Sequence, residues 1–149
     1  MHQRALTGEN MLKRGFAGPF RCCFCKHVAE TSTHIFVSCD FTQIAWTHLL
    51  SGLPISTPSI SEPVNLFANW QLRYPRISSS SHAWKQIWQA IPKKIWWKIW
   101  LTRNDLIFNN KSMKPELVAI KAKAMLSEVA GKFIILTPIK TKWNISGLA

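Results

Sequence analysis

Residues 22–39 read CCFCKHVAETSTHIFVSC and hold all four cysteines of the chain, Cys22, Cys23, Cys25 and Cys39. Two residues separate Cys22 from Cys25, eight separate Cys25 from His34, and four separate His34 from Cys39. C-x2-C-x8-H-x4-C fits a three-cysteine, one-histidine zinc site. A structural zinc takes four soft or borderline ligands in a tetrahedron, with Zn–S about 2.3 Å. A C-x-x-C turn brings two thiolates to one point. A short helix from Thr33, with Ser32 as its N-cap, is expected to present His34 and Cys39 toward one face. Four protein ligands leave no open coordination position, so the expected cofactor is one structural zinc held by Cys22, Cys25, His34 and Cys39. Cys23 and His27 offer competing registers. C-x2-C is the ordinary zinc spacing, which favours Cys22, and the spacing to Cys39 favours His34. A disulfide is the alternative use of these thiols, but no apolar signal segment opens the chain.

Composition bounds the rest. The chain has 149 residues, enough for one modest core or two small ones, and its 47% hydrophobic content suits a folded protein. Net charge is +12 and unevenly placed: residues 1–69 carry five Lys/Arg against four acids, and residues 70–149 carry fourteen against three. A field of that sign attracts nucleic acid or anionic surfaces. No apolar run approaches the ~20 residues of a membrane span. An intracellular, non-secreted protein is expected.

Helical periodicity dominates the remaining segments. A first helix is expected over 7–14, capped by Thr7, stopped by Gly15, and burying Leu6, Met11 and Leu12. A second, over 41–51 with Asp40 as N-cap, repeats Phe41, Ile44, Ala45, Trp46 and Leu49 and ends at Gly52. Residues 53–81 are rich in Pro and Ser and read as a linker, with a short helix inside 64–73. Helices follow over 82–91 and 93–109. Trp84, Ile87, Trp88 and Ile91 line the first; Ile95, Trp96, Ile99, Trp100, Arg103, Leu106 and Ile107 continue the stripe. Pro92 lies between them, as a kink or as the first position of the next helix. A last helix over 115–130 presents Leu117, Val118, Ile120, Ala124, Met125 and Val129. Residues 133–136 form an apolar run, expected as a short strand, in a basic tail over 132–149. The expected fold is all-α with a small zinc-binding loop and little or no sheet. It divides into a zinc region (1–52), the linker (53–81), a basic Trp-rich helical region (82–131) and the tail.

A resemblance adds to this reading. The segments ALTGENMLKRGF (5–16), RCCFCK (21–26) and ETSTHIFVSCDFTQIAW (30–46) resemble the zinc-binding domain of plant non-LTR retrotransposon reverse transcriptases. The matching positions are Leu6, Thr7, Asn10, Arg14, Gly15, Cys22, Cys25, Glu30, Thr31, His34, Ile35, Phe36, Cys39 and Trp46. WKIWLTRNDLIF (97–108) is similar to a segment that follows in such elements. The resemblance implies a zinc-binding, nucleic-acid-associated function. The family's domain ordinarily starts with a Trp-containing segment ahead of the LT pair, so a truncated fragment is expected.

No paired aspartates, phosphate-binding glycine loop or nucleophile elbow is present, and a non-catalytic protein is expected. The expected partner is RNA or DNA, bound without sequence specificity because phosphate contacts carry none. Lys93, Lys94 and Lys98 interleave with aromatics, and Trp97 falls off the apolar stripe. These four residues are the expected nucleic-acid surface, in residues 70–149 rather than in the zinc loop. Two other functions compete with this one: a retroelement remnant without a selected role, and a Trp-rich protein-interaction domain.

Overall fold

The computed structural model describes residues 5–18, 20–52, 69, 70 and 82–131. Regular structure among them is helical, and β pairing is limited to one isolated antiparallel bridge between Arg21 and Ala29. The all-α expectation therefore holds over the described residues. The expected helix within 64–73 (Asn69 and Trp70 excepted), the strand at 133–136 and the tail lie outside them.

Helix α1 (Gly8–Lys13) follows Thr7, whose extended backbone starts it, and it closes at Gly15, which sits at φ +83. Its buried side is not the one expected. Leu6 and Leu12 are exposed and Met11 half-buried, while Thr7, Gly8 and Asn10 are buried. Six residues are too few to present an apolar stripe, so α1 docks through its backbone instead. Gly8 N donates to Glu30 Oε1 at 2.9 Å, and Glu9 N donates to Glu30 O at 2.9 Å. Gly8 is required by close approach, since a Cβ there would stand 2.2 Å from Phe20 Cβ.

A π-helical turn (His34–Ser38) leads into α2 (Asp40–Leu50). Cys39 is the N-cap of α2, one residue before the expected Asp40, which instead places its carboxylate in the first turn. Thr42 donates to Ile35 O at 2.6 Å and Gln43 donates to Val37 O, so the freed carbonyls of the π turn are satisfied by the helix that follows. Gly52, at φ +85, ends the segment.

Residues 82–109 form one continuous helix, α3 (His82–Asn109), with Pro92 inside it, rather than the two expected. Proline at an interior position deprives the carbonyl four residues back of its N–H partner. Here that carbonyl belongs to Trp88, and Trp70 Nε1 donates to it at 2.7 Å. Trp88 Nε1 returns a bond to Trp70 O at 3.1 Å, and the two rings stack at 4.5 Å. The helix continues because a side chain supplies the donor that Pro92 lacks.

Helix α4 (Pro115–Gly131) packs against both α2 and α3. It buries Val118, Ala119, Ala122 and Leu126, at spacings of one helical face, and the alanines let its neighbours approach closely. The expected Leu117 and Ile120 are exposed, and Ala124 and Met125 are half-buried, so the inward face is rotated from the one anticipated. Ile44 and Ile107 are likewise exposed. One core joins Ile35–Val37 and α2 to α3 and α4, with Trp46, Trp88, Ile95 and Ile99 fully buried in it.

Candidate metal centre

The centre is assembled from two short segments. The first is a tight reversal: Cys22 N donates to Val28 O and Glu30 N donates to Phe20 O, each at 2.8 Å. At its tip Lys26 N donates back to Cys22 O at 2.8 Å, with Lys26 in the left-handed region at φ +62. This turn folds Cys25 back beside Cys22.

The second segment is the π-helical turn. Five residues advance an α-helix by about 500°, which leaves positions i and i+5 on different faces. The expected short α-helix could not bring His34 and Cys39 together. The wider turn does, and Cys39 N donates to His34 O at 2.8 Å to close an i+5 ring. Ser32 is not its cap. Thr31 Oγ1 accepts from His34 N at 3.0 Å, so the threonine of the Glu-Thr pair takes that role.

Together these segments bring Cys22 Sγ, Cys25 Sγ, Cys39 Sγ and one ring nitrogen of His34 within 4.8 Å of one another. Cys22 Sγ and Cys39 Sγ are 3.8 Å apart, and Cys25 Sγ lies 3.3 Å from His34 Nε2. A tetrahedron with Zn–S about 2.3 Å places its sulfurs roughly 3.8 Å apart. Three thiol sulfurs and an imidazole also match the metal in chemistry. Donor set and spacing fit one structural zinc. His34 Nδ1 has a long contact, 3.5 Å, to Ser38 Oγ, the partner available to orient the ring.

The competing register is geometrically separate. Cys23 is half-buried against the hydrophobic core and outside the cluster, and His27 is exposed. The two cysteines also differ electrostatically. A hydrogen bond from the Cys39 thiol, reinforced by backbone N–H groups, holds Cys22 down to about 5 against its burial. Cys39 is pushed up in return. Burial pushes Cys23 up to about 12, with the Glu30 and Cys22 charges adding to it. No disulfide joins the four cysteines.

Sequence reasoning did not reach the group that holds this loop to the helices. Glu30 is buried and accepts from Arg103 Nη2 at 2.6 Å while also accepting from Gly8 N. Arg103 lies on α3 with its guanidinium 5.0 Å from the centre of the Trp100 ring. One carboxylate thus fastens α1, the zinc loop and α3. The only sequence signal was that Glu30 and Arg103 both fall in motif segments; nothing paired them.

Of the expected nucleic-acid residues, Lys93 and Trp97 are exposed, and Lys94 and Lys98 are half-buried. They form two adjacent i, i+4 rows on α3. Burial lowers the pKa of Lys98, and nearby Lys121 on α4 lowers it further. Lys121 is a basic neighbour that one-dimensional spacing did not reveal.

Residues 1–46 match a protein-family model described as zinc-binding in reverse transcriptase. No curated protein and no solved structure matches the chain. Among the described residues no helix is long and apolar enough to cross a membrane.

Proposed function

We propose that this chain is a non-catalytic zinc-binding module of retrotransposon reverse-transcriptase origin, working inside the cell, whose basic helical half holds RNA or DNA without sequence preference. Cys22, Cys25, His34 and Cys39 hold the metal, which clamps the loop and takes no part in chemistry. The nucleic-acid half of the reading is carried by one observation: an exposed Trp97 stands beside Lys93, Lys94 and Lys98 on α3, in the half of the chain where fourteen Lys/Arg face three acids. Lysines would neutralise phosphates and Trp97 would stack on a base. The Trp-rich protein-interaction reading loses support because Trp46, Trp70, Trp84, Trp88 and Trp96 are buried in the core.

Titration with single-stranded RNA and DNA at several salt concentrations tests this. Affinity should fall with salt at a slope of about −0.7 per phosphate contact. Replacing Lys93, Lys94 and Lys98 together by Ala should reduce that slope by about two. An unchanged slope would remove these residues from the interface. Absence of binding even at low salt would favour a remnant with no nucleic-acid role.

A further inference from the structure

Beside the zinc cluster lies an open cleft of roughly 610 Å³. The zinc loop lines it with Arg21, Phe24 and Lys26, α2 with Phe41, and the end of α3 and the turn into α4 with Ile107 and Met113. Phe24 and Phe41 stack on each other at 4.0 Å and 8°, and both remain half-buried. Arg21, Lys26 and Ile107 are exposed. Among the described residues no Asp or Glu lines the cleft. Flat aromatic and aliphatic walls with cations alongside suit a planar ring that carries negative charge beside it. The chain's own residues 132–149 do not suit it, since they hold three lysines and no acid. An acidic peptide would satisfy the cations. A nucleic acid offers both the flat ring that the aromatic wall would stack and the charge that the cations would hold, and it also suits a chain whose residues 70–149 carry fourteen Lys/Arg against three acids.

We propose that this cleft holds an unstacked base of single-stranded nucleic acid, with Arg21 and Lys26 taking the flanking phosphates. The proposal rests on the nucleic-acid reading above and goes beyond it. It adds base contacts at the zinc loop to phosphate contacts on α3. Stacking of this kind tolerates any base, so it confers preference for single strands rather than for sequence.

The test uses the zinc-loaded full chain, labelled with ¹³C at its methionine methyls. The probes are a four-nucleotide DNA oligonucleotide and its abasic counterpart of equal charge. Met113 lines the cleft and Met11 and Met125 do not, so the spectrum carries its own controls. The intact oligonucleotide should shift the Met113 methyl and neither the Met11 nor the Met125 methyl, and bind about tenfold tighter than the abasic one, the size expected for stacking a single base. Phe24→Leu should bring the affinity ratio close to one with zinc retained and abasic binding unchanged. Arg21→Gln, at an exposed side chain, should weaken intact binding severalfold and gives a second reading if Phe24→Leu disturbs the loop. Equal affinities with no Met113 shift would overturn the cleft while leaving phosphate binding on α3 intact. Absence of binding by either probe at low salt would instead overturn the reading on which it rests. A Met113 shift produced by an acidic aromatic peptide but not by the oligonucleotide would overturn the proposal in favour of a protein partner.

Discussion

Glu30 and Arg103 are separated by 73 positions and meet as a buried ion pair at 2.6 Å. Such a pair is costly to break from one side, because the remaining charge is left buried without a partner; the loss is typically about 3–5 kcal/mol. Arg103→Met should destabilise the chain by about that amount in urea unfolding, and Glu30→Gln, which leaves the buried Arg103 guanidinium without its counter-charge, should destabilise it as well. A change below about 1 kcal/mol for Arg103→Met would show that the pair contributes little. Much of the zinc set was legible because ligand chemistry constrains both residue type and spacing: the C-x2-C pair and the His-x4-Cys pair could be read directly. The ion pair was not legible, because long-range pairing leaves no periodic trace. Ile44, Leu117 and Ile120 are exposed against expectation for a related reason. Periodicity identifies an apolar face, and neighbouring elements choose how much of it to cover.

At the scale of the element, two departures from α-helical regularity organise the chain. The π-helical turn His34–Ser38 sets His34 and Cys39 at a separation that an α-helix would misplace. The sequence spacing suggested both ligands but not the wide turn that reconciles them. In α3, Pro92 suggested a break, and only the distant Trp70 explains why the helix runs through. This account predicts a specific coupling. Trp70→Phe should leave the Trp88 carbonyl without its donor and cost about 1–3 kcal/mol for that group, besides any lost packing. Pro92→Ala should cost little alone, and in the Trp70→Phe background it should recover part of the loss, because an alanine N–H can reach Trp88 O. A double-mutant cycle by thermal unfolding measures this. Strict additivity of the two changes would contradict the account.

At the scale of the molecule, the zinc loop and the helical half share one core. Ile35, Phe36 and Val37 from the metal segment pack with Trp46, Trp96 and Ile99. Ligand binding that requires the folded arrangement stabilises it, so metal removal should reach beyond the loop. Chelation should weaken the near-ultraviolet signal of the buried tryptophans and lower the melting temperature of the helices, while a metal-independent melt would confine zinc to a local role. The charge asymmetry belongs to this scale too, and it was legible from composition, whereas the cleft between the zinc loop and the α3–α4 turn required the assembled fold. One zinc, held by Cys22, Cys25, His34 and Cys39, is expected to set this architecture. Metal content of the purified wild type, Cys22→Ser and Cys23→Ser tests it most directly. Wild type and Cys23→Ser should each carry one zinc per chain, and Cys22→Ser less than stoichiometric zinc. Wild type without zinc, or zinc kept by Cys22→Ser and lost by Cys23→Ser, would contradict it.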